Sequence, residues 1–248
     1  MNYYKIYFTL DSKVRGNRDY IKDYELKIPP TNLFFWENPQ FIGNIFNQKV
    51  NFEPYLLEIE LFKNSKINDL IMEGGPIATK LIVSSKLKLI LENNRKTGMQ
   101  FFNINVVREK EIYNNYWILN MYEINQEFID YKNSIIKYEK KADDYESSFN
   151  TKLILLDINT LKEFNKYKEI AEKNLEIIEI ERLALNTISI NEDFFALKYV
   201  EGGIGYFVSE TLKQEIEKSG CIGLEFQPSY LSLNEWLINE REKIYGKI

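Results

Sequence analysis

Two stretches of this chain, 83–101 and 208–226, align without a gap although they begin 125 positions apart. They are VSSKLKLILENNRKTGMQF and VSETLKQEIEKSGCIGLEF, and they share seven of nineteen residues. Valine is uncommon here, with seven in the whole chain, yet Val83 and Val208 fall in register. Each copy has a strand-like start, a Ser that can cap a helix, a buried apolar stripe and a Gly before a second strand. The sequence therefore predicts a repeated strand, helix, strand unit, which describes a fold before it describes a function.

The remaining elements indicate an α+β fold with mixed sheets. Alternating or apolar runs outside the two copies predict strands at Tyr3 to Thr9, Tyr55 to Phe62, Tyr113 to Tyr122, Lys152 to Asp157 and Phe194 to Tyr199. Of these, the run KLILLD at 152–157 predicts a buried strand.

Two helices are predicted outside the repeat, together with one irregular tract. Apolar residues recur at helical spacing from Leu161 to Leu175. Ser232 and Glu235 have the spacing of a capping box, which predicts a C-terminal helix over Leu233 to Tyr245. The tract from Pro29 to Pro54 combines prolines with large rings, so it predicts irregular chain pinned by buried aromatics.

The polar segment 138–150 is the strongest boundary signal. Its residues are mostly charged or polar, with Tyr138, Tyr145 and Phe149 among them. We expect a single two-lobed domain of residues 1–248, with possible lobes 1–137 and 151–248 joined by this polar loop.

Composition excludes several classes of function. The chain has no histidine and one cysteine, which excludes Ser-His-Asp and Cys-His catalysis and every His-containing or Cys-only zinc site. A net charge of −5 with interspersed basic residues disfavours nucleic acid as a partner. Lys5 interrupts any signal-peptide core, and no stretch has the roughly 20 apolar residues that span a bilayer. We therefore expect a cytoplasmic protein with no membrane partner and no cofactor.

Four features could carry chemistry, and each has a simpler structural interpretation. The glycines from Gly202 to Gly205 lack the spacing of a phosphate-binding loop and indicate a turn. Ser84 and Ser209 have no histidine to activate them and indicate helix caps. Cys221 lacks an electropositive setting that would make its thiol reactive. The acidic cluster Asp143, Asp144 and Glu146 does not match a calcium loop and indicates a solvated segment.

The second copy resembles a known family. The run GIGYFVSETLKQEIEKSGCIGLEFQPS, from Gly203, is similar to the C-terminal signature of bacterial polymorphic-toxin immunity proteins, specifically their groups eleven and forty-three. The matching positions are Val208, Ser209, Leu212, Lys213, Gly223, Leu224 and Phe226. The resemblance covers about the last hundred residues by pattern, and the first 150 by overall length and plan. It implies a protein that binds a cognate toxin domain stoichiometrically and blocks it.

Acidic charge and abundant aromatics agree with an immunity protein whose toxin is basic. Two alternatives stay open: an enzyme that uses carboxylates in a cleft between the lobes, and a structural or adaptor protein. No catalytic, cofactor-binding or metal-binding residue is predicted. The predicted partner-binding residues lie in the polar loop and are Asp143, Asp144, Tyr145, Glu146 and Phe149.

Overall fold

A computed structural model describes residues 2–27, 34–71, 74–141 and 151–247 of the chain. It is an α+β fold with mixed sheets and a C-terminal helix, as the sequence predicts. The strands in the described residues are β1 Tyr3–Phe8, β2 Ile21–Leu26, β3 Leu57–Leu61, β4 Leu70–Ile71, β5 Ile82–Ser84, β6 Met99–Arg108, β7 Glu111–Met121, β8 Ile135–Lys141, β9 Thr151–Leu156, β10 Ile177–Arg182, β11 Phe194–Val200, β12 Gly203–Ser209 and β13 Leu224–Pro228. The α-helices are α1 Ser12–Arg15, α2 Ser85–Asn94, α3 Leu161–Asn174, α4 Glu210–Lys218, α5 Leu233–Glu235 and α6 Arg241–Tyr245, with a π-helical turn, Trp236–Glu240, between the last two. Short 3-10 helices occupy Phe35–Glu37, Ile42–Asn44, Gly75–Ile77, Gln126–Phe128 and Tyr131–Asn133.

The strands form two sheets. A seven-stranded sheet has the order β13-β1-β12-β11-β10-β8-β9, and a six-stranded sheet has the order β2-β3-β6-β7-β5-β4. Most pairs are antiparallel, but β10 runs parallel to β11 and β3 runs parallel to β6. Both sheets are therefore mixed. Among the described residues, no helix has the length and hydropathy needed to cross a lipid bilayer.

By internal contacts the chain divides into two compact units. One comprises Met1–Lys5, Asn125–Glu210 and Gln227–Lys243; the other comprises Ile6–Ile124, Thr211–Phe226 and Ile244–Ile248. The lobes 1–137 and 151–248 stay a prediction.

Each unit has its own apolar core. In the first unit, α3 contributes Phe164 and Ala171 to a core that also contains Ile178 and Ile180 of β10. In the second unit, the core includes Phe41 and Ile118. Because the burial of apolar side chains is the main driving force for folding, each unit has a hydrophobic core that stabilises it.

Both copies of the repeat fold as predicted. The first copy is β5, α2 and β6, and the second is β12, α4 and β13. The shared glycines Gly98 and Gly223 have φ values of +83° and +90°, which only glycine adopts readily. At Gly223 a Cβ atom would also lie 2.5 Å from Cβ of Asn68. This close approach explains why the second copy needs glycine there.

The capping box predicted for the C-terminal helix is present. Ser232 and Glu235 form a full capping box at the start of the C-terminal helix. Thr160 and Glu163 form another at the start of α3. Each box satisfies backbone N–H groups that a helix start leaves without partners, and this fixes where the helix begins.

Three expectations are corrected. The rings of the Pro29–Pro54 tract are not all buried: Phe41 is buried, but Phe34 and Trp36 are 61% and 58% exposed and stack on each other. The segment expected to be a polar loop from residue 138 begins as strand, because β8 continues to Lys141. Leu175 does not extend the apolar stripe of α3, since it takes a left-handed conformation after the helix and is exposed.

Candidate partner-binding site

The serines of the repeat are structural. Ser84 Oγ accepts the Leu87 N–H at 3.2 Å and donates to Asp69 Oδ1 at 2.5 Å. Ser209 Oγ donates to Asp193 in the same way. In each copy the backbone carbonyl of that aspartate also accepts the serine N–H, at 2.8 and 2.9 Å. Each serine therefore anchors a helix start to a strand, as expected for a cap and not for a nucleophile.

The paired lysines are structural as well. Lys88 forms an ion pair with Glu92 at 2.6 Å, and its ammonium lies 5.3 Å from the ring centre of Phe101. Lys213 repeats both contacts, with Glu217 at 3.5 Å and Phe226 at 5.9 Å. Cation–ring contacts of this kind hold a lysine stem against an apolar surface. The duplication thus extends from backbone to side-chain contacts.

The other candidates for chemistry also have structural roles. Gly202 has a φ of +77° in the turn that leads into β12, so the turn interpretation holds there, but Gly203 and Gly205 belong to the strand itself. Burial raises the pKa of the Cys221 thiol, which reduces its thiolate fraction near neutral pH.

A depression with a volume of about 920 Å³ lies along the start of α3, where Thr160, Glu163 and Glu169 are among the residues that line it. Its Glu163 carboxylate accepts the N–H groups of Asn159 and Thr160, at 2.7 and 3.2 Å. That carboxylate therefore serves the helix terminus. Among the described residues, no three acidic or cysteine side chains are grouped closely enough to hold a metal ion.

The predicted partner-binding residues lie outside the described residues. These are Asp143, Asp144, Tyr145, Glu146 and Phe149. The chain enters their segment from Lys141, the last residue of β8, and leaves it at Thr151, the first residue of β9. The strands on either side of this segment, β8 and β9, form part of a surface that was not predicted from the sequence.

Strands β10, β8 and β9 are neighbours at one end of the seven-stranded sheet. One side of them belongs to the core, with Ile136, Tyr138 and Ile178 buried. The other side, which we call the outer face, is formed by alternate residues, as the pleat of a strand requires. Two cross-strand rows define it, Ile177 with Glu139 and Leu153, and Glu179 with Lys137 and Leu155.

The outer face exposes large apolar side chains. Leu153 is 53% exposed, Leu155 is 66% exposed and Ile177 is 53% exposed. Residues 152–157 were expected to be a buried strand; the strand is confirmed, but burial on both sides is wrong. The reason is that β9 ends the sheet and has the core on one side alone. Clustered exposed apolar residues on a folded surface mark interaction sites.

Carboxylates surround these apolar side chains. Lys137 pairs with Glu181, while Glu139 and Glu179 have no ion pair among the described residues. Counting the carboxylates of Glu139, Glu179 and Glu181 against the ammonium groups of Lys137 and Lys141, the local charge near neutral pH is −1. Burial raises the pKa of Glu179, Lys137 opposes that rise, and the charges of Glu139, Glu181 and Glu201 add to it. The outer face is therefore acidic, and its own carboxylates repel one another.

Glu176 fixes the end of β8. Its carboxylate accepts hydrogen bonds from the Tyr138 hydroxyl and from the Lys141 N–H, the latter at 3.2 Å. The hydrogen bond from Tyr138 is the main cause that lowers the pKa of Glu176. The hairpin of β8 and β9 is thus held by an ionised glutamate at the point where the predicted partner-binding segment begins.

The fold defines the class of this protein: it is an α+β chain with two mixed sheets and a duplicated strand, helix, strand unit. The serines and lysines that the two copies share have structural roles. The chain belongs to the Immunity protein family (Imm11), whose sequence model matches residues 2–230. The match confirms the resemblance to polymorphic-toxin immunity proteins, and it extends that resemblance over the first half of the chain. No curated protein matches the sequence.

Proposed function

We propose that this protein binds and neutralises a cognate bacterial toxin domain by stoichiometric protein–protein interaction in the cytoplasm, without catalysing a reaction. Membership of an immunity protein family supports the protective role. The roles of Ser84, Ser209 and Cys221 support a binding protein, because each is engaged in structure or held in its unreactive form.

The outer face is the observation that carries the proposal. Leu153, Leu155 and Ile177 are more than half exposed in a row of strands that otherwise bury their apolar residues. Apolar side chains surrounded by charge match the anatomy of protein interfaces, where a desolvated centre is enclosed by a polar rim. The acidic rim favours a toxin domain with a basic surface, which would associate faster through electrostatic steering.

The segment between β8 and β9 belongs to the same proposal. Its acidic and aromatic residues are Asp143, Asp144, Tyr145, Glu146 and Phe149. Because the segment begins and ends at the hairpin that carries Leu153 and Leu155, it extends the proposed site along the chain. Replacing Asp143, Asp144, Tyr145 and Phe149 together with Ala tests this part separately.

The test begins with the neighbouring gene. We expect this gene to lie directly downstream of one for a large secreted protein with a variable C-terminal domain. Co-expression should protect cells from that C-terminal domain, and titration calorimetry of the two purified proteins should give one-to-one binding. Absence of both protection and binding contradicts the proposal. Self-association without a heterologous ligand in a pull-down supports the adaptor alternative instead.

A further inference from the structure

The strand β9 is an open edge of its sheet. It is last in the order of the seven-stranded sheet, and β8 is its one neighbour among the described strands. The two strands pair in register over six residues, from Ile136 with Leu156 to Lys141 with Thr151, with no shift. An edge strand directs the N–H and C=O groups of alternate residues away from its neighbour. A straight, regular edge of this kind is a template for another strand.

Among the described residues, the other three sheet edges are better protected than β9. The opposite edge, β13, has its central residues buried and ends in Pro228, which has no N–H to donate. In the second sheet, β2 has an irregular register and exposes charged side chains, and β4 has two residues in the described part of the chain. These are the usual devices that prevent a strand from pairing with another chain. The strand β9 has no proline and no shift in its register, and beside a single exposed lysine, Lys152, it exposes Leu153 and Leu155.

We propose that β9 accepts a strand of the toxin domain, which extends the seven-stranded sheet by one strand; this inference rests on the proposed function. Alternate apolar side chains of the added strand would cover Leu153 and Leu155, because cross-strand neighbours on one face lie in contact. Main-chain hydrogen bonds supply affinity in this mode of recognition, and the side chains supply specificity.

The charge of the outer face indicates which kind of strand would bind at β9. In the row of Leu153 the next residue inward is Glu139, whereas in the row of Leu155 it is Lys137, which is already paired with Glu181, and Glu179 lies beyond it. A strand with a basic side chain on this face would approach carboxylates that have no ion pair among the described residues. A second copy of this chain would instead bring an identical acidic face to the same side. The chemistry therefore favours a basic strand from another protein.

The chain offers a matched control for the edge. Leu153 and Ile177 share one cross-strand row and one face, and each is 53% exposed. They differ in position, since Leu153 lies on the edge strand and Ile177 lies two strands inward. The probe is the purified C-terminal domain encoded by the neighbouring gene. Leu153→Lys should weaken its affinity at least about thirtyfold, the effect of losing a hot-spot residue, and Ile177→Lys should weaken it by less than about fivefold.

Proline substitutions test the main-chain part. In a strand, consecutive N–H groups point to opposite sides. One of the two variants Ile154→Pro and Leu155→Pro therefore removes a backbone hydrogen bond to β8. The other removes an N–H group that points outward, away from β8. The outward variant should keep the wild-type melting temperature and lose toxin binding. Hydrogen exchange should also show residues 151–156 gaining protection in the complex, with residues 177–182 unchanged.

Equal losses from Leu153→Lys and Ile177→Lys, with no new protection of β9, would mean that the toxin docks on the face and that strand addition is wrong. Sedimentation of the protein alone overturns the choice of occupant if it shows a dimer that the outward proline variant dissociates. If the wild-type protein neither binds the domain nor protects cells, the proposed function itself has failed, which is a distinct result.

Discussion

Asp69 and Asp193 provide a quantitative test of the duplicated unit, because they have equivalent positions but different numbers of partners. Asp69 accepts from the Ser84 hydroxyl at 2.5 Å and from the Ile222 N–H at 2.9 Å, and it also pairs with Lys86 at 3.2 Å. The side chain of Asp193 accepts from the Ser209 hydroxyl. Replacing each aspartate with Ala should therefore destabilise the protein by unequal amounts.

The magnitudes follow from the hydrogen bonds lost. A hydrogen bond to a charged group contributes about 1.5–3 kcal/mol, so Asp69→Ala should cost about 3–6 kcal/mol and Asp193→Ala about 1.5–3 kcal/mol. The ion pair with the half-exposed Lys86 adds less than about 1 kcal/mol. Asp69→Asn should cost about half as much as Asp69→Ala, since an amide can accept from Ile222 and donate to the Ser84 oxygen.

Urea denaturation of the full chain measures these differences, and hydrogen exchange of residues 82–94 and 193–209 assigns each loss to its own copy. Because the chain has two compact units, coincidence of fluorescence and circular dichroism transitions must be established before a free energy is taken. The reasoning is refuted if Asp69→Ala costs no more than Asp193→Ala. It is also refuted if Ser84→Ala and Asp69→Ala are additive, since residues that share a hydrogen bond should be coupled.

Four further predictions concern single residues. The raised pKa of Glu179 disfavours its ionised form in the folded state, so Glu179→Gln should raise the melting temperature at pH 7, and the gain should vanish below the ordinary value of 4.5. For Glu176 the expected change in stability has the opposite sign. Its lowered pKa stabilises the folded state above pH 4.5, so Glu176→Gln should lower the melting temperature at pH 7 and have no effect at a pH below the lowered pKa. Gly223→Ala should cost at least about 3 kcal/mol in denaturation experiments because of its positive φ and the 2.5 Å approach to Asn68, whereas Gly220→Ala, which meets nothing within 4 Å, should cost about 1 kcal/mol. Cys221 should react with iodoacetamide more slowly in the folded protein than in urea at pH 7.5, as followed by mass spectrometry, and equal rates would contradict a buried thiol.

The repeat was predictable because its shared residues fix local structure. Ser84 and its counterpart occupy helix starts, and Gly98 and Gly223 occupy left-handed positions, so chemistry within nineteen residues was sufficient. The partners Asp69 and Asp193 were not found, because they lie 15 and 16 residues before their serines and outside the aligned window. A signal existed: each aspartate directly precedes two apolar residues, and extending the alignment upstream with one gap would have matched them.

The surface strands were harder to predict. In β8 the inward residues Ile136 and Tyr138 alternate with Lys137 and Glu139, and the charges on the outer face made the segment look like loop. In β9 the apolar run has the pattern of a strand buried on both faces. Its position at the edge depends on sheet order, which non-local pairing determines and a local pattern does not contain.

The candidate site lies outside the repeat, and this separation has a physical consequence. The repeated units bury most of their shared residues, such as Val83, Leu87 and Val208, so substitutions there change the fold. The outer face is formed by β8, β9 and β10, where Leu153 and Leu155 are solvated, and where burial and the neighbouring carboxylates raise the pKa of Glu179. Both features reduce the stability of the free protein. A basic apolar strand would remove both penalties at once, since it would cover the leucines and bring positive charge to the carboxylates. Glu139 lies beside Leu153 and its charge acts against that of Glu179, so Glu139→Gln should stabilise the free protein and weaken the complex. Calorimetry at pH 7 that shows wild type and variant binding the toxin domain equally would mean that the acidic rim takes no part in recognition.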